Sequence, residues 1–164
     1  MPEITEIVVR PAAPEDLPAV AELRWFWERE NRGEPEPPLS DFAARFADWA
    51  ALHRGTHHCF VAVADGAVVG MAWLAVTPRV PQPRAFDRAS GDVQCVYVRP
   101  ELRDLGLGGR LILAVLGLAR EHGLERVSVH SSDRAVPAYA RHGFAVSPVL
   151  LQADLRKNTN TTGH

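Results

Sequence analysis

The chain has 164 residues, with 46% apolar and 23% charged residues and a formal charge of -2 at pH 7. These values are typical of a single globular domain with a hydrophobic core, and they argue against a disordered chain. A nearly neutral chain presents no basic surface for general binding to nucleic acid, so no nucleic-acid partner is expected.

The N-terminus and the apolar runs predict a cytoplasmic protein without a membrane partner. Residues 1–11 lack the apolar core and the positive cluster of a signal peptide. No run reaches about 18 consecutive apolar residues, the length that spans a bilayer. Cys59 and Cys95 lie in strand-like apolar stretches, which favours buried free thiols in a reducing compartment over a disulfide.

Hydrophobic periodicity and turn signals predict the elements of the first half of the chain. In order, they are a strand at 4–10, a helix at 13–30, a helix at 41–53, and strands at 58–65 and 67–76. Ser40 is placed to cap the second helix. Asp65-Gly66 predicts a tight hairpin turn, because such turns need positive φ angles. The proline- and arginine-rich stretch 77–90 is predicted to be a long loop.

The second half of the chain predicts alternating strands and helices. In order, they are a strand at 92–100, a helix from 107 to a C-cap at Gly123, a strand at 125–132, a short helix between Asp133 and Gly143, and a strand at 148–155. The central hairpin excludes a purely parallel sheet, and the strand-helix-strand passage predicts a parallel pair. We therefore expect an α/β protein with a mixed sheet in one domain, residues 1–156, followed by a flexible polar tail at 157–164.

The glycine-rich turn RDLGLG at residues 103–108 predicts a phosphate site. A helix that begins inside this turn has unpaired N–H groups and a partial positive charge at its N-terminus. Gly106 and Gly108 have no Cβ, so the backbone can approach phosphate oxygens closely. Arg103 and Arg110 add positive charge.

Two common phosphate-binding motifs fit this turn poorly. A P-loop needs a lysine and a hydroxyl residue after its last glycine, and neither is present. In a dinucleotide-binding fingerprint, Leu111 would stand where the third glycine belongs. Residues 99–104 also separate the turn from the preceding strand, which that fingerprint does not allow.

The turn matches the pattern Arg/Gln-x-x-Gly-x-Gly/Ala, and it resembles the acetyl-CoA loop of the GNAT N-acetyltransferase superfamily. A downstream segment, Ala135-x3-Tyr139-x3-Gly143-Phe144, is similar to the second helical signature of that family. The resemblance implies the GNAT fold, with a central, mostly antiparallel mixed sheet of about six to seven strands and about four flanking helices. It also implies acetyl-CoA-dependent transfer of an acetyl group to a primary amine of a small molecule or peptide. The transfer would occur by direct attack in a ternary complex, with no metal.

The resemblance places the donor site on a strand end and on the turn. Backbone amides at the strand end would align the pantetheine arm and polarise the thioester carbonyl, and the turn would bind the pyrophosphate. The expected acetyl-CoA-binding residues are Val96, Tyr97, Val98, Arg103, Asp104, Leu105, Gly106, Leu107, Gly108, Gly109 and Arg110. Gly109 lies outside the matched pattern, so it either binds phosphate or only turns the chain.

The resemblance also indicates catalytic residues. Tyr139 falls on the general acid of the family, although a tyrosine on a short helix is otherwise an ordinary core residue. Asp92 occupies the position of the family's general base, and its short side chain would act through a water. The alternative for Asp92 is a solvated residue at the start of a strand. Gln94 should share the face of Asp92, because side chains alternate along a strand.

The acceptor is not predicted by the sequence. In the family it binds between the first two helices and the loop after the third strand, which here supply Trp27, Glu28 and residues 77–90. Aromatic and carboxylate side chains suit a cationic amine, whereas the arginines of the loop suit an anionic group. The tryptophans suit the core or a homodimer interface equally well. His130, at the end of the fifth strand, is another substrate-site candidate.

Two further alternatives concern metal binding and catalysis. His53, His57 and His58 are close in sequence, but no zinc-site spacing accompanies them, and no metal is predicted. The alternative to an enzyme is a GNAT-fold regulatory module that binds acetyl-CoA without turnover.

Overall fold

The protein is described here by a computed structural model that covers residues 3–156. The helices and strands are β1 (Ile7–Pro11), α1 (Leu17–Arg32), α2 (Leu39–His53), β2 (His57–Ala64), β3 (Ala67–Arg79), β4 (Arg88–Val98), α3 (Leu107–Glu121), β5 (Val127–Val129) and α4 (Val136–Arg141). None of these helices is long and apolar enough to cross a membrane. The predicted polar tail at 157–164 lies outside the described residues.

The strands form one mixed sheet in the order β1-β2-β3-β4-β5. The first four strands pair antiparallel, and β4 pairs parallel with β5, as the sequence predicted. Asp65 and Gly66 form the predicted hairpin turn between β2 and β3, with φ angles of 47° and 84°. The described part of the chain therefore has the expected α/β architecture, with five strands and four α-helices.

Helices cover both faces of the sheet. The apolar face of α3 packs on one side through residues spaced four apart, from Leu107 to Ala119. On the other side, Val20 and Leu23 of α1 and Ala50 of α2 form a second buried cluster with β2, β3 and β4. This arrangement leaves the N-terminus of α3 close to the end of β4, where the predicted donor site lies.

The predicted strand at 148–155 is wrong. These residues have no regular secondary structure, and Leu150, Leu151 and Leu155 are exposed. The expected six to seven strands are therefore five among the described residues. Alternating apolar residues give a segment strand propensity, but a strand also needs a sheet edge with which to pair.

The long loop predicted at 77–90 is also wrong at both ends. Residues 77–79 extend β3 and residues 88–90 begin β4, so the connecting segment is shorter. Arg88 supports this end of the hairpin, because its guanidinium donates to Glu125 at 2.6 Å and 3.2 Å and to the Val80 carbonyl at 2.6 Å. The prolines predicted that the strands end before this segment, but the pairing of β3 with β4 continues through residues 77–79 and 88–90.

Two N-caps that the sequence predicts, Ser40 for α2 and Asp133 for α4, are wrong as well. The α2 helix begins at Leu39, after Pro38 in an extended conformation, so Ser40 lies inside its first turn. The α4 helix begins at Val136, after Ala135, rather than after Asp133. A turn precedes α4, in which the Ser132 carbonyl accepts hydrogen bonds from the N–H groups of Ala135 and Val136. The helix therefore begins after this turn.

Candidate active site

A β-bulge in β4 shapes the centre of the candidate site. Tyr97 pairs with Met71 and Gln94 pairs with Trp73, so Ala72 faces two residues of β4 instead of one. Cys95, one of these two residues, has a φ of 57°, which is uncommon for a residue other than glycine. The bulge was not predicted, because no glycine or proline marks it in the sequence.

The sheet opens next to this bulge. The parallel pairing of β5 with β4 covers only Gly91 to Val93, and beyond Val93 no strand of residues 3–156 pairs with β4 on this side. The backbone of Val96–Val98 that faces away from β3 is therefore outside the sheet hydrogen bonding. Exposed strand amides of this kind can bind an extended chain with amide groups, such as the pantetheine arm.

The glycine turn has the geometry of a phosphate cradle. Gly106 lies just before α3 with a φ of 76°, and Asp104 has a φ of 69°. Within the described residues, the N–H groups of Leu105–Gly109 have no hydrogen-bond acceptor, whereas the Arg110 N–H donates to the Gly106 carbonyl at 3.1 Å. A Cβ at Gly108 would meet no protein atom within 4 Å. Free N–H groups and open space fit a pyrophosphate group.

Gly109 also has a close packing neighbour. A Cβ at this position would lie 3.0 Å from Nε2 of His142, which directly follows α4. The missing side chain leaves room for the His142 ring beside the first turn of α3. This contact concerns the missing Cβ of Gly109, and among residues 3–156 its N–H group is free like those of its neighbours.

The two arginines of the turn differ in their partners. The Arg103 guanidinium binds the Glu30 carboxylate of α1 through two hydrogen bonds of 2.7 Å and 2.9 Å, and its Nε donates to the Val98 carbonyl at 3.0 Å. This contact lowers the pKa of Glu30. Among the residues that the structure describes, the exposed Arg110 makes only a long hydrogen bond of 3.5 Å, to the carbonyl of Ile7. Arg110 is therefore the arginine of this pair that is available to a ligand.

Tyr139 lies on α4, beside the opening of the sheet. Its ring packs edge-to-face against Phe144 with a centroid distance of 5.4 Å, and the side chain is mostly buried. Burial raises the pKa of Tyr139, and the neighbouring Cys95 thiol raises it further. The phenol therefore stays protonated at neutral pH. In the described part of the chain its hydroxyl has no hydrogen-bond partner, so a ligand can accept its proton.

Asp92 and Gln94 lie on one face of β4, as the strand period predicted. The Gln94 side-chain amide donates to Oδ2 of Asp92 at 3.0 Å. Asp92 is half-buried and pairs with Ala75 of β3 and Ser128 of β5. The alternative of a solvated residue at a strand start is therefore wrong, because β4 already begins at Arg88.

We expect Asp92→Asn to lower kcat/KM by about tenfold, since an amide cannot accept the proton that the attacking amine must lose. The measurement is steady-state acetyl transfer to one amine. Asp87→Asn, at an exposed aspartate on the same hairpin, should leave kcat/KM unchanged. An unchanged kcat/KM in Asp92→Asn would remove Asp92 from the proton transfer.

The predicted acceptor residues are spread over the α1-α2 side and the end of β5. The Trp27 ring packs against the buried cluster under α1, and the guanidinium carbons of Arg24 and Arg32 lie 4.4 Å and 5.6 Å from its centroid. Glu28 lines a cavity of about 400 Å³ between α1 and α2, together with Arg24 and Trp25. His130 is exposed just after β5.

Sequence reasoning missed Arg24. Besides lining the cavity, its positive charge lowers the pKa of the Cys95 thiol, partly offsetting the increase that burial causes. Arg24 thus connects the cavity electrostatically with the bulge in β4. Its helical spacing from Trp27 and Glu28 was the signal in the sequence that could have identified it. Among the described residues, no group of three histidine, cysteine or acidic side chains could hold a metal ion.

Comparison with known proteins agrees with this geometry. The family model described as "Acetyltransferase (GNAT) family" matches residues 17–144. A glucosamine 6-phosphate N-acetyltransferase of Trypanosoma brucei brucei is 31% identical over 120 residues, which cover 73% of this chain and 80% of the relative. A glucosamine 6-phosphate N-acetyltransferase of Oryza sativa subsp. japonica is 35% identical over 126 residues, covering 74% and 73%.

A solved structure supports the fold. The crystal structure of a predicted acetyltransferase with acetyl-CoA from Clostridium acetobutylicum superposes with a TM-score of 0.76 at 16% identity, covering 93% of this chain and 99% of the other. Free amides at the start of α3, an open strand edge and a protonated tyrosine are features that fit an acyltransferase site. The chain belongs to the GNAT acetyltransferase family. It is an acetyl-CoA-dependent N-acetyltransferase.

Proposed function

We propose that this enzyme acetylates the amine of a phosphorylated amino sugar, with glucosamine 6-phosphate as the leading candidate. The observation that carries the proposal is the similarity to two glucosamine 6-phosphate N-acetyltransferases, each aligned over about three quarters of the chain. Such a substrate has a cationic amine and an anionic phosphate in one molecule.

The charges of the cavity between α1 and α2 support a substrate of this kind. Arg24 and Glu28 both line it, so a cation and an anion of the protein are close to one another. Arginine is well suited to phosphate, and a carboxylate is suited to an ammonium group. A substrate with both charges also accounts for the conflicting signals of the sequence, in which carboxylates favoured an amine and arginines favoured an anion.

The catalytic roles follow from the protonation states that each step needs. Bound acetyl-CoA supplies a thioester whose carbonyl carbon accepts the amine. A cationic amine must lose a proton before it can attack, and Asp92 would accept that proton through a water. Backbone amides of Val96–Val98 would orient the donor and polarise its carbonyl. Tyr139 would donate its phenolic proton to the departing thiolate.

A thiol-release assay with acetyl-CoA and a panel of amines tests the proposal. We expect kcat/KM for glucosamine 6-phosphate to exceed that for glucosamine by about tenfold, because a charge-assisted phosphate-arginine contact contributes about 1.4 kcal/mol. Equal rates for both sugars, or a faster reaction with a peptide amine, would overturn the assignment. Binding of acetyl-CoA without thiol release for any amine would instead favour a regulatory module.

Arg24→Met should raise the KM for glucosamine 6-phosphate by about tenfold and leave the KM for glucosamine nearly unchanged, because only the former has a phosphate. The matched control is Arg29→Met, on the same helix. The Arg29 guanidinium carbon lies over the rings of Trp25 and Phe26 at 5.2 Å and 4.8 Å and does not line the cavity. An equal change for both sugars would argue against a phosphate contact at Arg24.

A further inference from the structure

Glu30 of α1 contacts the start of the donor loop, which is the glycine turn at residues 103–108. Its carboxylate accepts two hydrogen bonds from the Arg103 guanidinium, of 2.7 Å and 2.9 Å. The Tyr97 hydroxyl donates to the same carboxylate at 3.0 Å. Glu30 therefore joins the C-terminal part of α1, the end of β4 and the first residue of the loop.

Each of the three guanidinium nitrogens of Arg103 donates one hydrogen bond. Both terminal nitrogens bind Glu30, and Nε donates to the Val98 carbonyl at 3.0 Å. The guanidinium carbon lies 5.2 Å from the centroid of the Tyr97 ring. A guanidinium held at all three nitrogens has a restricted orientation, and its charge is balanced by the carboxylate.

The contacts of Arg103 also affect the residues that come after it in the chain. Asp104 and Gly106 have left-handed backbone conformations, with φ angles of 69° and 76°. They turn the backbone so that the free N–H groups of Leu105–Gly109 line the start of α3. Left-handed conformations of residues other than glycine persist only where the surroundings hold them.

We propose that Glu30 is a positioning residue for acetyl-CoA, and that Arg103 acts as its clamp rather than as a positive charge for the pyrophosphate. By holding Arg103, Glu30 keeps the backbone amides of the loop in their phosphate-binding arrangement. The inference rests on the assignment of the acetyl-CoA pyrophosphate to this loop. The cationic contribution to donor binding then comes from the helix N-terminus and from Arg110.

Glu30→Gln distinguishes between the two possible roles of Arg103, because they predict opposite changes in the affinity for acetyl-CoA. If Arg103 served as a charge for the pyrophosphate, removal of the competing carboxylate would tighten acetyl-CoA binding. If Glu30 positions the loop, the dissociation constant of acetyl-CoA rises by about fivefold, the upper range for a partly exposed pair. Isothermal titration calorimetry with acetyl-CoA measures the difference.

Two further measurements make the test specific. Arg103→Lys keeps the charge but not the forked geometry, so it should weaken acetyl-CoA binding as much as Glu30→Gln does. In turnover with S-acetylpantetheine, which has no pyrophosphate, Glu30→Gln should lower kcat/KM much less than it does with acetyl-CoA. A loss of general structure would lower the activity with both donors to the same extent.

The matched control is Glu22→Gln. Glu22 also lies on α1 and accepts a hydrogen bond from Arg99 at 3.0 Å, with a similar exposure, but it has no contact with the donor loop. It should leave acetyl-CoA affinity unchanged, and thermal unfolding should show equal stability for both variants. Tighter or unchanged binding in Glu30→Gln, or full affinity in Arg103→Lys, would overturn the proposal. If the unmodified chain does not bind acetyl-CoA, the assignment of the loop itself fails.

Discussion

Tyr139→Phe is expected to lower kcat by about 100-fold and to leave the dissociation constant of acetyl-CoA within about twofold. The substitution keeps the ring that packs against Phe144 and removes only the hydroxyl, which has no partner among residues 3–156. An ordinary phenol, with a pKa near about 10, can protonate a thiolate near about 8.5 at a cost of about 2 kcal/mol. Burial raises the pKa of Tyr139, which keeps the phenol protonated at neutral pH but adds to this cost.

Steady-state kinetics with acetyl-CoA and calorimetric titration of the donor measure the two quantities separately. Phe144→Leu is the matched control, because it disturbs the same packing and retains the hydroxyl. A similar fall in kcat for both variants would indicate that packing, rather than proton transfer, is lost. An unchanged kcat in Tyr139→Phe would exclude Tyr139 as the general acid.

Gly108→Ala should weaken acetyl-CoA binding by about 30-fold without lowering the stability of the protein. Its Cβ would meet no protein atom within 4 Å, so the folded chain can accommodate it. In the donor complex the same methyl group would occupy space beside the phosphate oxygens. Loss of charge-assisted hydrogen bonds to backbone N–H groups costs about 2 kcal/mol.

Gly117→Ala controls for the change in helix propensity. Gly117 lies on the same helix, and a Cβ there also meets no protein atom within 4 Å. Both variants should raise the melting temperature slightly, since alanine favours a helix over glycine by about 1 kcal/mol. Only Gly108→Ala should affect the affinity for acetyl-CoA. Equal affinity in the two variants would mean that the donor does not approach Gly108.

The sequence predicted those features of the fold that depend on residues close to one another in the chain. The Asp65-Gly66 turn follows from the left-handed conformation that these two residues tolerate. The start of α3 follows from Gly106 and from the apolar spacing after Leu107. The pairing of Gln94 with Asp92 follows from the alternation of side chains along a strand. Each of these features depends on residues that are close in sequence.

Features that depend on contacts between distant segments could not be predicted from the sequence. The bulge at Cys95 depends on how β4 pairs with β3, and no residue type in the sequence marks it. The segment 148–155 has a strand-like sequence but no neighbouring strand in the described structure. Gly109 stands where a Cβ would meet the His142 ring, although Gly109 lies in the first turn of α3 and His142 follows α4.

The sequence by itself indicated the class of this protein and its acyl donor, because residues 103–108 and 135–144 resemble two motifs of the GNAT family. Free N–H groups at a helix start and glycines without a Cβ are properties of a short, continuous segment, so the sequence alone also indicated a phosphate site at residues 103–108. Only the tertiary structure decided that Arg103 binds Glu30 and that Tyr139 lies near Cys95. The reason is physical: a local pattern specifies which conformation the backbone can adopt, whereas the partner of a side chain depends on which distant surface the fold brings to it.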